Sequence, residues 1–154
     1  MDKAGAHTRS IFGDQNRLSA IQISSYLQGV KQVAFATVSS KGEPMVTPVD
    51  SVLYHGRFYI STDETSLRAR HLRRSPLLSL TYFEGADPVI VVHGSADFVG
   101  PKNRAFGALD LEWIKAYGQS ILKLSNTVIF IRANPKRMLA YSLHPQRFKS
   151  AKHH

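Results

Sequence analysis

The sequence contains no cysteine among its 154 residues. This absence excludes disulfide bonds, metal sites with thiolate ligands and cysteine nucleophiles. The sequence also has no apolar run long enough to cross a bilayer, and no apolar segment follows the charges of its first ten residues. We therefore expect neither a membrane span nor a secretory signal, and we expect the protein to be cytoplasmic.

Catalytic and metal-binding patterns are lacking as well. The seven histidines are not paired with one another or with carboxylates at ligand spacing. No carboxylate pair or catalytic triad is recognisable, and no helix-turn-helix, zinc finger or RNA-recognition signature is present. The sequence therefore predicts no catalytic side chain and no metal site. Nucleic-acid binding is an alternative supported by positive charge alone.

The composition is that of one ordered globular domain. Hydrophobic residues make up 43% of the chain and charged residues 20%, with a formal net charge of +9. We expect a single domain over residues 15–148, with flexible termini at 1–14 and 149–154. The net charge favours an anionic partner, such as nucleic acid or a phosphate-bearing cofactor.

Hydrophobic periodicity predicts a mainly β protein with flanking helices. Helices are predicted at 15–29 and 101–124. Strands are predicted at 33–39, 45–54, 57–61, 77–83, 89–99, 127–133 and 138–142, with a turn at 134–137. Pro48 predicts an edge, a bulge or a break in the second strand, and Gly94 predicts a bulge in the fifth. Short strands joined by hairpins predict a small antiparallel barrel.

The segment RFYISTDETSLRARHLRRSP, residues 57–76, carries the clearest functional signal. It predicts a strand, a polar turn with several possible helix caps, and a short helix that carries four arginines and is closed by Ser75 and Pro76. Main-chain N–H groups, hydroxyls and an arginine one turn into a helix suit a phosphate monoester. A solvated cationic helix is the alternative.

Four segments of the chain follow one another in a familiar order. They are VAFATVSSKGEPMVTPVD, RFYISTDETSLRARHLRRSPLLSLTYF, VIVVHGSADFV and IFIRANPKRMLAYS. Together they resemble the pyridoxamine 5′-phosphate oxidase-like family of flavin-binding split barrels, which also includes reductases that use the deazaflavin coenzyme F420. The resemblance implies a six-stranded split barrel that forms a homodimer, with the cofactor at the subunit interface.

The same resemblance implies two groups of cofactor-binding residues. The phosphate group consists of Thr62, Ser66 and Arg68. The ring group, which would lie against the isoalloxazine, consists of Thr47, Pro48, Val49 and Ser61. The other arginines of the helix, Arg70, Arg73 and Arg74, would be surface charges or contacts to a longer cofactor tail.

The chain departs from pyridoxamine phosphate oxidases proper at several positions. Pro88 and Val89 replace their polar residues at the start of the fifth strand, and Ser142-Leu143-His144-Pro145 replaces their C-terminal substrate motif. Oxidation of pyridoxamine phosphate is therefore not expected, whereas flavin binding is. His71 stands where many relatives have asparagine, and its role is open.

The expected function is an FMN-dependent oxidoreductase that transfers hydride to or from a small-molecule substrate. The flavin itself performs this chemistry, so no protein acid or base is required. Three alternatives stay open: an F420-dependent reductase, a non-catalytic flavin or tetrapyrrole-binding protein, and a nucleic-acid-binding protein. In a haem or biliverdin binder, His71 or His93 would face the tetrapyrrole.

Overall fold

The computed structural model describes residues 13–85 and 87–148. Within these residues six antiparallel strands close into a barrel in the order β1-β2-β3-β6-β5-β4. The strands are β1 (Val30–Val38), β2 (Pro44–Tyr54), β3 (Arg57–Asp63), β4 (Leu77–Phe83), β5 (Val89–Val99) and β6 (Val128–Tyr141). The helices are α1 (Ala20–Tyr26), α2 (Leu67–Arg74) and α3 (Arg104–Tyr117). The predicted mainly β split barrel with flanking helices is confirmed.

Two clusters of buried side chains hold the barrel together. Alternate residues of each strand point inward, so that Val33 and Phe35 of β1 meet Ile60 of β3 inside the barrel. The second cluster lies outside the barrel, where α3 packs on the sheet. There the Trp113 ring contacts the Phe130 ring at a centroid distance of 5.5 Å. Trp113 is thus a core residue.

Helix α2 forms where the sequence predicts it. Ser66 caps its N-terminus by accepting a hydrogen bond from the main-chain N–H of Ala69 at 3.2 Å, and the helix ends at Arg74, before Ser75 and Pro76. Its inner face contacts β1. The helix therefore lies across the barrel next to the ends of β1 and β3.

The two predicted strand irregularities are also present. Residues 44–50 of β2 pair with β1 but not with β3, so Pro48 lies in a half-strand that has a free edge. The register of β5 and β6 shifts between His93 and Gly94. A Cβ on Gly94 would lie 2.0 Å from the main-chain oxygen of Asn134, so only glycine fits there.

Four sequence predictions about helices and strands were wrong. The helix predicted at 15–29 covers only Ala20–Tyr26, and the one predicted at 101–124 covers Arg104–Tyr117, because Gly118 ends it in the left-handed region. Pro101 lies before the Asn103 cap instead of in the first turn. The turn predicted at 134–137 does not form: β6 continues through it, so the strands predicted at 127–133 and 138–142 are one strand, and the barrel has the six strands that the family resemblance implies.

Other predictions concern the ends of the chain and the membrane. The termini predicted to be flexible, 1–14 and 149–154, lie outside the described residues apart from positions 13 and 14. None of the helices in the described ranges is both long enough and apolar enough to cross a membrane.

Candidate functional site

The candidate site lies where β3 leads into α2. Thr62 is near the end of β3, and its hydroxyl lies 2.8 Å from the hydroxyl of Ser66. Arg68 turns back from the first turn of α2, and its Nη1 donates to the Thr62 hydroxyl at 3.1 Å. Thr62 therefore contacts both of the other residues predicted to bind phosphate. We call Thr62, Ser66 and Arg68 the Arg68 cradle.

Arg68 also connects the cradle with β2. Its Nη2 donates to the hydroxyl of Thr47 at 3.2 Å, across 21 residues of sequence. Thr47 lies on the half-strand of β2 that pairs with β1 alone. One member of the predicted ring group is thus in direct contact with the predicted phosphate group.

Among the described residues, the charge of Arg68 has no counter-charge. Burial lowers the pKa of its guanidinium, and its buried Nε has no hydrogen-bond partner. No ion pair among the described residues includes Arg68, whereas Arg132 pairs with Asp97 at 2.8 Å. Burying a cation that has only neutral hydroxyl partners costs free energy. An anion bound beside the guanidinium would offset this cost.

Asp63 fixes the turn that carries the cradle. Its carboxylate accepts hydrogen bonds from the hydroxyls of Thr127, Thr65 and Ser125 and from the main-chain N–H of Thr65. These bonds, led by the one from Thr127, hold the pKa of Asp63 well below its usual range. This role was not predicted from the sequence. The Asp-x-Thr spacing is a local signal for it, but the contacts to residues 125 and 127 are not visible in sequence.

His71 lies one turn after Arg68 on the inner face of α2. It is buried, and its Nδ1 lies 2.9 Å from the hydroxyl of Thr37 on β1, which is also buried. The role that the sequence left open is therefore at least structural: His71 ties α2 to β1. His93, in contrast, is exposed on β5, where its Nδ1 lies 2.7 Å from the Ser79 hydroxyl.

The other arginines of α2 differ in their surroundings. Arg74 donates to the main-chain oxygens of Val38 and Ser39. Arg73 donates to the main-chain oxygen of Glu64 at 2.7 Å and lies 5.2 Å from the centre of the Phe98 ring. The Arg70 side chain is exposed and forms no hydrogen bond or ion pair with another described residue.

The remaining members of the predicted ring group do not converge on the cradle. Val49 is buried and points into the barrel, while Pro48 is exposed on the opposite face of β2. Ser61 alternates with Thr62 and so lies on the outer face of β3. Contacts from Pro48 and Ser61 to a ring beside the cradle would have to involve the main chain or a different face, whereas Val49 lies on the same face of β2 as Thr47.

No group of three or more histidine or acidic side chains in residues 13–85 and 87–148 is arranged to hold a metal ion. The polar chemistry of the site is therefore that of hydroxyls and a guanidinium, which are donors to an anion.

A comparison with protein families gives one match. The model of the family described as pyridoxamine 5′-phosphate oxidase matches residues 20–140, which includes all six strands apart from the last residue of β6. No curated protein matches the sequence significantly.

Solved structures resemble the chain over most of its length. A conserved hypothetical protein from Mycobacterium tuberculosis has a TM-score of 0.74 at 17% identity, with 92% of this chain and 95% of that chain covered. The haem storage protein from Vibrio cholerae has a TM-score of 0.66 at 18% identity, covering 82% and 98%. A protein named F420 reductase has a TM-score of 0.60 at 16% identity, covering 75% and 94%. At these identities the likeness establishes the fold alone.

Proposed function

We propose that this chain, which belongs to the pyridoxamine 5′-phosphate oxidase family, binds the phosphate of FMN in the Arg68 cradle and acts as an oxidoreductase. The observation that carries this proposal is the state of Arg68: a half-buried guanidinium whose Nε has no hydrogen-bond partner and whose charge has no counter-charge within residues 13–85 and 87–148. A phosphate monoester would supply both the missing acceptor and the missing negative charge.

Each residue of the cradle has a distinct task in this proposal. Arg68 gives a charge-assisted contact from its fork of N–H donors. The hydroxyls of Thr62 and Ser66 turn from each other towards the phosphate oxygens, and the positive end of α2 adds to the attraction. Thr47 holds the far side of the guanidinium and so fixes its direction.

The flavin would supply the hydride chemistry, so the protein needs to bind, orient and shield it. Thr47, Pro48, Val49 and Ser61 remain our candidates for the ring wall. The substrate would be a small molecule, to or from which hydride is transferred. Pyridoxamine phosphate is not proposed, because the positions at Pro88, Val89 and 142–145 lack the polar residues of that substrate site.

We further propose that the functional form is a homodimer. Large apolar side chains are exposed on β2 and β4, the two strands that flank β1, with Val46 of β2 67% and Leu77 of β4 63% exposed. Met45 of β2 and Phe83 of β4 are exposed as well. Several exposed apolar residues on one side of a sheet are typical of a surface that a second subunit covers.

Coenzyme F420 is the second candidate for the cradle. Arg70 is exposed on the same short helix, and its side chain forms no hydrogen bond or ion pair within the described part of the chain. It is therefore free to attract the polyglutamate tail that distinguishes F420 from FMN. A protein with the same fold is named as an F420 reductase, which supports this alternative at the level of the fold.

Ligand titrations test the proposal and choose between cofactors. Purified protein is titrated with FMN, with F420 and with biliverdin, and binding is followed by absorption and fluorescence. We expect FMN to bind and Arg68→Ala to weaken it about 10- to 150-fold, since a charge-assisted hydrogen bond contributes about 1.5–3 kcal/mol. The control is Arg70→Ala, which removes the same charge from the same helix.

The control variant should bind FMN like the unchanged protein, while weaker F420 binding by Arg70→Ala would favour the second candidate. Equal FMN affinity of the Arg68→Ala variant and the unchanged protein would refute the phosphate assignment. Binding of biliverdin without FMN or F420 would favour the tetrapyrrole alternative.

A further inference from the structure

A cavity separate from the Arg68 cradle lies between β2 and the C-terminal end of α3. Its volume is about 360 Å³, within the range of small-molecule sites. It is lined by Asp50, Trp113, Tyr117, Gln119, Ser120 and Leu124. Asp50 lies on the face of β2 opposite Thr47 and Val49, so the cavity is outside the barrel.

The cavity has an acidic group at its wall. Asp50 is the charged residue of the lining, in a chain whose formal net charge is +9. No lysine or arginine forms an ion pair with it among the described residues. Its Oδ2 accepts a hydrogen bond from the Tyr117 hydroxyl at 2.8 Å, which fixes the position of the carboxylate and raises the pKa of Tyr117. The phenol therefore stays a donor at neutral pH.

The walls beside this carboxylate are aromatic. The Tyr117 side chain is 53% exposed, and its ring lies 6.1 Å from that of Trp113 at an interplanar angle of 45°. A fixed carboxylate next to an exposed aromatic face attracts organic cations, through a charge-assisted hydrogen bond and a cation–π contact. Leu124 offers apolar surface for the body of such a ligand, and Gln119 offers a polar edge.

We propose that this cavity binds a small organic cation, with a primary ammonium group at Asp50 and an apolar body against Tyr117 and Leu124. The binding of the cation does not depend on the proposed function.

The single tryptophan of the chain makes the cavity observable. Because Trp113 lines the cavity, its fluorescence reports a ligand there. Cofactor-free protein is titrated with benzylamine, and with benzyl alcohol as a neutral probe of nearly the same shape. We expect a saturable change with benzylamine, and binding of the alcohol at least tenfold weaker.

Variants separate charge from shape. Asp50→Asn keeps an acceptor for Tyr117 and removes the charge, so it should bind benzylamine at least tenfold more weakly and benzyl alcohol unchanged. Glu43→Gln removes a charge from the exposed turn between β1 and β2 and should have no effect. Tyr117→Phe keeps the ring but frees the carboxylate, and a severalfold loss is expected.

Three results would each overturn the cation site. They are an absence of saturable fluorescence change in the unchanged protein, equal affinities for the amine and the alcohol, and full benzylamine binding by Asp50→Asn. The titration contains no cofactor, so its outcome does not depend on FMN. Loss of FMN binding with intact benzylamine binding would instead refute the cradle and leave the cation site standing.

Discussion

Replacing Ser66 with aspartate separates the two roles assigned to this residue. Ser66 caps α2 through the N–H of Ala69, and its hydroxyl belongs to the Arg68 cradle. Aspartate caps helices as well as serine does, and its charge is favourable at a helix N-terminus. We therefore expect the free energy of unfolding of the cofactor-free Ser66→Asp variant to fall by no more than about 0.5 kcal/mol.

The same substitution places a carboxylate where the phosphate is proposed to bind. Two unit charges 4 Å apart repel each other by about 4 kcal/mol at an effective dielectric constant of about 20. Since about 1.4 kcal/mol corresponds to a tenfold change in affinity, FMN should bind roughly a thousandfold more weakly. The new carboxylate would also pair with Arg68 and compete with the ligand directly.

Ser66→Asn is the matched control, because asparagine caps the helix without adding a charge. Thermal melts of both cofactor-free variants give the stability change, and fluorescence titrations give the affinity for FMN. We expect both variants to be stable, and only the Ser66→Asp variant to bind FMN very weakly. A folded Ser66→Asp variant that binds FMN within about threefold of the unchanged protein would refute it.

Three further substitutions test the structural supports. Gly94→Ala should lower the free energy of unfolding by more than about 2 kcal/mol in urea melts, because the added Cβ would meet main-chain atoms. Gly100→Ala is the control and should be nearly neutral, because a Cβ there would lie in open space; equal effects of the two substitutions would contradict the bulge. Asp63→Asn should lower Tm at neutral pH, because the depressed pKa of Asp63 means that its carboxylate is stabilised in the folded protein. The difference from the unchanged protein should shrink as the pH falls below about 4, where the unfolded chain takes up a proton at Asp63 before the folded protein does; a difference that does not depend on pH would refute this. His71→Leu should lower the free energy of unfolding by about 1–3 kcal/mol in urea melts, because it leaves the buried Thr37 hydroxyl without a partner. His71→Asn should lower it less, because asparagine keeps a hydrogen-bond partner for that hydroxyl; the reverse order would contradict the contact.

Local signals in the sequence predicted α2 and its surroundings well. The Ser66 cap, the closing Ser75 and Pro76, and the cluster of arginines are all neighbours in sequence. Helix capping depends on contacts over three or four residues, so the sequence contains the information needed. The glycine bulge in β5 was also predictable from a local signal, because Gly94 is unusual within a run of β-forming residues.

Long-range contacts explain what the sequence did not predict. Pro135 in the segment 134–137 has the local pattern of a turn, but β6 continues because the bulge at Gly94, about 40 residues earlier, gives the main chain of Asn134 room. The contact of Arg68 with Thr47 spans 21 residues, and that of Asp63 with Thr127 spans 64. Such contacts depend on barrel closure, which no local pattern encodes.

We propose above that the Arg68 cradle binds the phosphate of a flavin cofactor. Riboflavin lacks this phosphate, so the affinities of FMN and riboflavin for the unchanged protein and for Arg68→Ala form a thermodynamic cycle. We expect the unchanged protein to prefer FMN by at least about tenfold, and Arg68→Ala to lose most of this preference while binding riboflavin unchanged. An equal preference for FMN in both proteins would contradict it.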